Sequence, residues 1–145
     1  MSDSVVPYLC CKGASEAIAY YVTVFGAEEV ERWTAPDGRV GHAEVRIAGH
    51  SVYLADEHPE MGVLSPLTLG GRSVSMVVTV PDPDAVMASA LEHGATLDRP
   101  VTDQPMGFRG GWFFDPFGHH WGVNSPSKDP TRDELQSQVE NYTIT

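Results

Sequence analysis

Two histidines stand side by side at His119 and His120, inside the stretch DPFGHHWGVN over residues 115–124. Histidine changes charge nearest neutral pH and is a common metal ligand. What the pair can do depends on its backbone. Successive side chains of a strand point to opposite faces, so two adjacent histidines there cannot hold one ion. An HxH spacing on a strand or HxxxH on a helix would place both on one face. His119 follows Asp115-Pro116-Phe117-Gly118 and reads as structural, pairing with a nearby carboxylate or carbonyl. His120 reads as the residue free to touch a ligand or move a proton. The same alternation separates Cys10 from Cys11 and rules out a disulfide between them. Cys10 as a nucleophile would need a base, which His120 could supply, and a lowered pKa. A small buried apolar residue is the plainer reading. No zinc spacing such as CxxC, no phosphate-cradling glycine loop and no Ser-His-Asp pattern is legible.

The bulk numbers bound the setting. A chain of 145 residues can bury one core, or two half-domains sharing a sheet. Hydrophobic content of 41% beside 20% charged excludes wholesale disorder. The net charge is -11, the pI is about 4.7, and the 9 Lys and Arg do not cluster. Nucleic acid and anionic membranes are therefore not expected partners. MSDSVVPY shows no basic segment leading into an apolar run, and no stretch of ~18 apolar residues occurs, so neither a signal peptide nor a membrane span is expected. Two free thiols fit a reducing cytoplasm.

The elements that must position these residues follow from periodicity. Residues 5–11 read as a strand. Residues 14–27 read as a helix, with Ala17, Ile18, Tyr21, Val22 and Phe25 on one stripe, Ser15 as N-cap and Gly26 as stop. Strands follow at 28–34, at 40–48 and at 51–56, with a turn on Asp37-Gly38. In the second of these, Ala43, Val45 and Ile47 share one face while His42, Glu44 and Arg46 share the other. Residues 57–72 are rich in Pro and Gly and read as a linker. The order then repeats: strand 73–80, helix 82–95 begun by Asp82 or Asp84 and ended by Gly94, strand 96–102, loop 104–111, then strands around 111–115 and 119–124. The expected fold class is α+β, two tandem βαβββ units at 5–56 and 73–125. Residues 1–126 form the domain, and 127–145 form a tail whose short helix carries Leu135, Val139 and Tyr142.

Three segments, in order within this repeat, carry a resemblance: PYLCCKGASEAIAYYVTVFGAE, GHAEVRIAGHSVYLADE and FRGGWFFDPFGHHWGV. They resemble the vicinal oxygen chelate superfamily, which includes glyoxalase I, extradiol dioxygenases and bleomycin-resistance proteins, and within it the PhnB-like branch. The resemblance implies that the two units form a curved mixed sheet around a ligand cavity, with helices on the convex faces, and that dimerisation often completes the cavity. It also implies that metal-dependent members place His, Glu or Gln ligands on the first and fourth strands of each unit. Those places here fall at Val6, Tyr53, Ser75 and Gly122, which do not make a divalent-metal site. No metal and no cofactor is therefore expected. His42, Glu44 and His120 are the one unconventional cluster that could hold an ion.

On the cavity faces the resemblance implies Tyr8, Trp33, His42, Glu44, Arg46, Tyr53, Phe108, Arg109, Phe113, His120 and Asn124. Trp112, Phe114 and Trp121 are expected in the core. Arg109 either grips a carboxylate or phosphate, or pairs with Asp115 to brace the hairpin. Aromatic walls with a few polar groups suit a small planar molecule. The expected function is metal-independent binding of an aromatic or polar natural product, of the bleomycin-resistance kind, by a cytoplasmic homodimer. The alternative is an enzyme, a lyase, isomerase or dioxygenase, with a non-standard metal site or with His120 or Glu44 as acid/base.

Overall fold

The computed structural model describes residues 2–105 and 107–145. Met106, in the loop expected over residues 104–111, lies outside the described residues.

The first unit runs β1 (Tyr8–Cys11), α1 (Ala14–Phe25), β2 (Glu28–Thr34), β3 (Val40–Ile47) and β4 (His50–Asp56). The second runs β5 (Ser75–Thr79), α3 (Pro83–Glu92), β6 (Thr96–Asp103), β7 (Arg109–Phe114) and β8 (His120–Asn124). Between them lie a 3-10 turn over Pro59–Met61 and the short helix α2 (Pro66–Leu69), and α4 (Arg132–Gln138) follows. Each unit makes one four-stranded mixed sheet, in the orders β1-β4-β3-β2 and β5-β8-β7-β6. In each, the first strand lies parallel to the fourth and the remaining pairs are antiparallel. The sheets are curved and not closed. Among the described residues no helix is long and apolar enough to cross a membrane.

The two long helices start differently. Asp82 caps α3 through its own carboxylate, which accepts from the Ala85 N–H at 3.1 Å, and Pro83 takes the first turn, where an N–H is not needed. Ser15 does not cap α1. The N-cap stands two residues earlier, at Gly13 with φ 98, and the Asp56 carboxylate from the end of β4 accepts from the Gly13 and Ala14 N–H groups at 3.1 and 2.7 Å. A carboxylate at a helix N-terminus meets both the free donors and the positive end of the dipole, so it displaces a serine cap. The Ser15 hydroxyl accepts from Arg32 instead, at 2.9 Å. Gly26, at φ 67, ends α1 as the stop signal requires.

The core is shared. Leu9, Cys11, Val45, Val52 and Leu54 turn inward from the first sheet, and Val78, Phe113, Trp121 and Val123 from the second. Helix α1 serves both. Its Tyr21 ring lies 5.4 Å from that of Trp121, and Phe25 packs on Trp121 at 4.7 Å and on Phe113 at 6.2 Å. The Tyr20 hydroxyl donates to the Ala90 carbonyl of α3 at 3.1 Å.

The closing turn of the second unit is tied to the first. Asp115 is 4% exposed. One of its oxygens accepts from the Tyr21 hydroxyl at 2.6 Å and the Trp121 indole N–H at 2.8 Å. The other accepts from the Phe117 and His119 N–H groups, each at 2.9 Å. His119 makes a 2.9 Å hydrogen bond through Nε2 to the Cys10 carbonyl, so this histidine is structural.

Strand β7 is turned over relative to the sequence expectation. Phe113 is fully buried, while Trp112 and Phe114 lie on the opposite, outward face. The register explains it: Phe113 pairs with inward Trp121, and Trp112 pairs with Gly122, whose missing side chain makes room for the indole. Three consecutive aromatics suit either face by hydrophobicity alone, and only the partner strand decides.

Candidate functional site

Each sheet buries one face and turns the other outward. On the first outward face the alternation brings Tyr8, Tyr53, His42 and Trp33 together from four strands, because Tyr8 pairs with Tyr53 and Trp33 with His42. The Tyr8 hydroxyl and His42 Nδ1 are 2.7 Å apart. The His42 ring meets Tyr53, Tyr8 and Trp33 edge to face at 5.0, 5.5 and 5.6 Å. Glu44 sits one step along β3 and accepts from the Ser51 hydroxyl at 2.7 Å. Arg46 is exposed further along the same strand.

Beside this cluster opens a cleft of ≈ 600 Å³ lined by Tyr8, Cys10, Gly41, Ala55, Met61 and Val63, with His58 at its wall. Its roof is the segment expected as a plain linker. That segment is built: His58 and Val63 exchange backbone hydrogen bonds at 2.9 and 3.1 Å, His58 Nδ1 bonds the Asp56 carbonyl, and Arg39 donates to Glu60 at 2.8 Å. Glu57 accepts from the buried Ser65 N–H at 2.7 Å. Hydrogen bonds from the Thr68 and Ser65 side chains and from that N–H hold the Glu57 carboxyl down at about 2. Pro and Gly count masked this segment in the sequence.

Cys10 lines this cleft. Burial pushes its thiol pKa up, and the Glu57 and Asp56 carboxylates push it further. His120, the base it would need, lies in the other sheet. Cys11 is fully buried, and burial raises its pKa strongly.

On the second outward face, His120 is fixed on every side. It stacks between Trp112 (4.7 Å, 18°) and Phe114 (4.6 Å, 27°). Its Nδ1 is 2.6 Å from the Ser75 hydroxyl, and its Nε2 is 2.9 Å from an Asp98 carboxylate oxygen. The Arg72 guanidinium lies 4.5 Å from the centre of the Phe114 ring. A second cleft of ≈ 410 Å³ adjoins Trp112, with Arg99, Thr102, Gln104, Phe108 and Asn124 on its walls. Phe108 and Asn124 are thus brought together here, away from Tyr8 and His42. Phe108 also meets the tail, sharing a groove with Leu135 of α4.

Two expected site residues are placed elsewhere. Phe113 has no exposed surface and so offers nothing to a ligand. Arg109 does not pair with Asp115. It donates to both oxygens of Asp84 at 2.7 and 2.9 Å, to Asp103 at 3.3 Å and to the Val101 carbonyl at 3.4 Å. Those bonds raise its pKa above the usual arginine range and occupy its fork. It braces α3 against β6 and β7.

The four strand places implied for a metal do not fit one. Val6 has no donor atom and precedes β1. Tyr53 packs on Tyr8 and His42, and Ser75 is bonded to His120. At Gly122, a Cβ would stand 2.9 Å from Trp112 ring carbons, so a carboxylate cannot be added without moving the indole. His42 and Glu44 lie on β3 and His120 on β8 of the other sheet. Among the described residues no three His, Cys, Asp or Glu side chains gather around a common point.

Known proteins share this plan. An uncharacterised protein of Mycobacterium bovis is 40% identical over 142 residues, covering 96% of this chain and 93% of its own length. An uncharacterised Mycobacterium tuberculosis protein is likewise 40% identical, covering 96% of this chain and 84% of its own. The crystal structure of protein PA1353 from Pseudomonas aeruginosa superposes with a TM-score of 0.71 at 22% identity, over 88% of this chain and all 100% of that one. The fosfomycin resistance protein FosX of Listeria monocytogenes gives 0.66 at 15% identity, over 93% of this chain and 98% of its own. At those identities the two structures speak for the fold alone. The model of the Glyoxalase/Bleomycin resistance protein/Dioxygenase superfamily matches residues 3–123, and the chain belongs to that superfamily.

Proposed function

We propose that this protein binds a small, flat molecule in the cleft roofed by residues 58–63, without a metal and without turning the ligand over, in the manner of bleomycin-resistance proteins and closest in pattern to the PhnB-like branch. One observation carries the reading: the ≈ 600 Å³ cleft lies within the ~300–1,000 Å³ range of ligand sites, beside a wall of aromatic rings with few polar groups. The residues at the family's metal positions, Val6, Tyr53, Ser75 and Gly122, support a metal-free reading. Tyr8 and Trp33, 56% and 64% exposed, are flat rings open to solvent. A second copy of the chain covers them in a homodimer and completes the site.

The test is a thermal-shift screen against planar natural products and short keto acids, with alkylation of Cys10 as the local probe. A ligand in this cleft raises the melting temperature and slows Cys10 alkylation, and Met61→Arg abolishes both effects. A ligand that binds Met61→Arg as tightly as the parent refutes this placement. One tightly held metal per chain in elemental analysis refutes the metal-free reading. Sedimentation as a monomer refutes the dimer.

A second reading, a cofactor-free enzyme, is favoured by the fixing of His120. The Asp98 carboxylate can only accept, so in the neutral ring Nε2 carries the proton and Nδ1 is left as a base. A screen for turnover with His120→Gln tests it, and activity equal to the parent's removes His120 from the chemistry.

A further inference from the structure

We propose that Ser75, His120 and Asp98 form a nucleophilic relay on the second outward face, with the Ser75 hydroxyl attacking small activated esters. The inference rests on the second reading above, in which His120 is a base, and is independent of the cleft on the first sheet.

Three strands assemble the group. Ser75 opens β5 directly opposite His120, which opens β8. Asp98 sits at the irregularity of β6 between Leu97 and Arg99, where the register shift re-aims a side chain across the face. The spacing over residues 75, 98 and 120 has no local signature, so the group is invisible until the sheet register is known. Its geometry has the logic of a serine nucleophile: base within reach of the hydroxyl, and the base oriented by a third group. The Ser75 oxygen is 2.6 Å from Nδ1 and Asp98 is 2.9 Å from Nε2. Stacking between Trp112 and Phe114 prevents the ring from turning away.

The hydroxyl is also reachable. Ser75 is exposed, and β5 is an edge strand. The Val80 N–H donates to the Asn124 carbonyl of β8, and two-residue alternation turns the Ser75 N–H toward the free edge. That N–H is a donor for an oxyanion formed beside Oγ. A cleft of ≈ 410 Å³ adjoins Trp112, the ring on which His120 stacks.

In the reaction, Ser75 Oγ adds to the ester carbonyl carbon while its proton passes to His120 Nδ1. Collapse breaks the carbon–oxygen bond to the leaving alcohol, which takes that proton. Water then adds to the acyl-serine and gives a proton to Nδ1. The acid departs as the proton returns to Ser75. Asp98 is a positioning residue: it holds the tautomer and offsets the charge on the imidazolium.

The test combines a fluorophosphonate label, mapped by peptide mass, with hydrolysis of p-nitrophenyl acetate by the full chain. The expected result is a label on Ser75 and a hydrolysis rate that falls roughly 10²-fold or more in Ser75→Ala and in His120→Asn. Asp98→Asn displaces the acid limb of the pH–rate profile, which a purely structural role would not do. Ser75→Cys keeps a measurable acylation step, and near-parental melting temperatures exclude misfolding. If Ser75 stays unlabelled and Ser75→Ala keeps a rate that His120→Asn loses, the nucleophile is overturned and His120 stands as a base. If neither variant changes the rate, both the relay and the second reading are overturned.

Discussion

Replacing Asp115 discriminates between a turn residue and a buried hub. Its carboxylate satisfies four donors, and the partners on one oxygen, Tyr21 and Trp121, are 0% and 2% exposed. In Asp115→Ala the Tyr21 hydroxyl and the Trp121 indole N–H lose their acceptor where water does not reach. Each stranded donor costs about 1–3 kcal/mol. The turn N–H groups add less, because the His119 end is only partly buried. The total expected loss is about 3–5 kcal/mol. Asp115→Asn behaves differently. Its carbonyl keeps the two turn N–H groups, while its amide group faces the hydroxyl and the indole. The hydroxyl can rotate to accept and the indole cannot, so one donor is stranded and the loss is about 2–3 kcal/mol. Tyr21→Phe removes one hydrogen bond to a charged acceptor, about 1.5 kcal/mol. Its effect shrinks in the Asp115→Asn background, because the bond it deletes is already weakened. Urea unfolding followed by tryptophan fluorescence measures all four proteins. An Asn variant as unstable as the Ala variant, or less than 1 kcal/mol below the parent, refutes the hub.

Three further outcomes follow from the geometry. Gly122→Glu restores the carboxylate of metal-dependent relatives but drives its Cβ into Trp112. It should lower stability by about 1–3 kcal/mol without conferring metal binding, as melting and elemental analysis will show. The Glu57 carboxyl sits at about 2 against a usual glutamate value near 4.5. Its folded-state pKa is depressed, so its contribution is complete above pH 4.5 and fades as pH falls toward 2. Protection of the Ser65 amide, its exchange rate taken relative to the free-peptide rate at each pH, should fall across that window, and Glu57→Gln should flatten the response. Arg109→Ala should leave ligand affinity unchanged, because its fork is spent on Asp84 and Asp103; a tenfold loss of affinity would place Arg109 in the site after all.

The strand–helix–three-strand order and its repeat were legible because each rests on a local period. So were the inward residues Leu9, Cys11, Val52, Leu54, Trp121 and Val123, since alternation needs only one reference point. What the chain could not reveal was fixed by partners distant in sequence. Trp112, Phe113 and Phe114 fit either face until Gly122 and Trp121 are set opposite them. His120 was identifiable as a candidate, but Ser75 and Asp98 reach it only through pairing and a strand irregularity. The Arg109 partner lies 25 residues away on a helix. Ser15 lost its capping role to Asp56 from another strand. The cleft roof at residues 58–63 was hidden by composition, since proline and glycine mark a built turn as readily as a linker.

The shared core has a consequence for how the chain comes to be folded. Helix α1 is made early in the chain, yet Tyr21 and Phe25 finish the packing around Phe113 and Trp121, some ninety residues later. The first half therefore leaves the ribosome with an aromatic surface whose partner does not yet exist, and the second half alone would expose Trp121 and Phe113 to water. Such distant contacts slow folding and couple the halves into one cooperative transition. The chain repeats one plan twice, and the aromatic residues of α1 remove the independence of each copy.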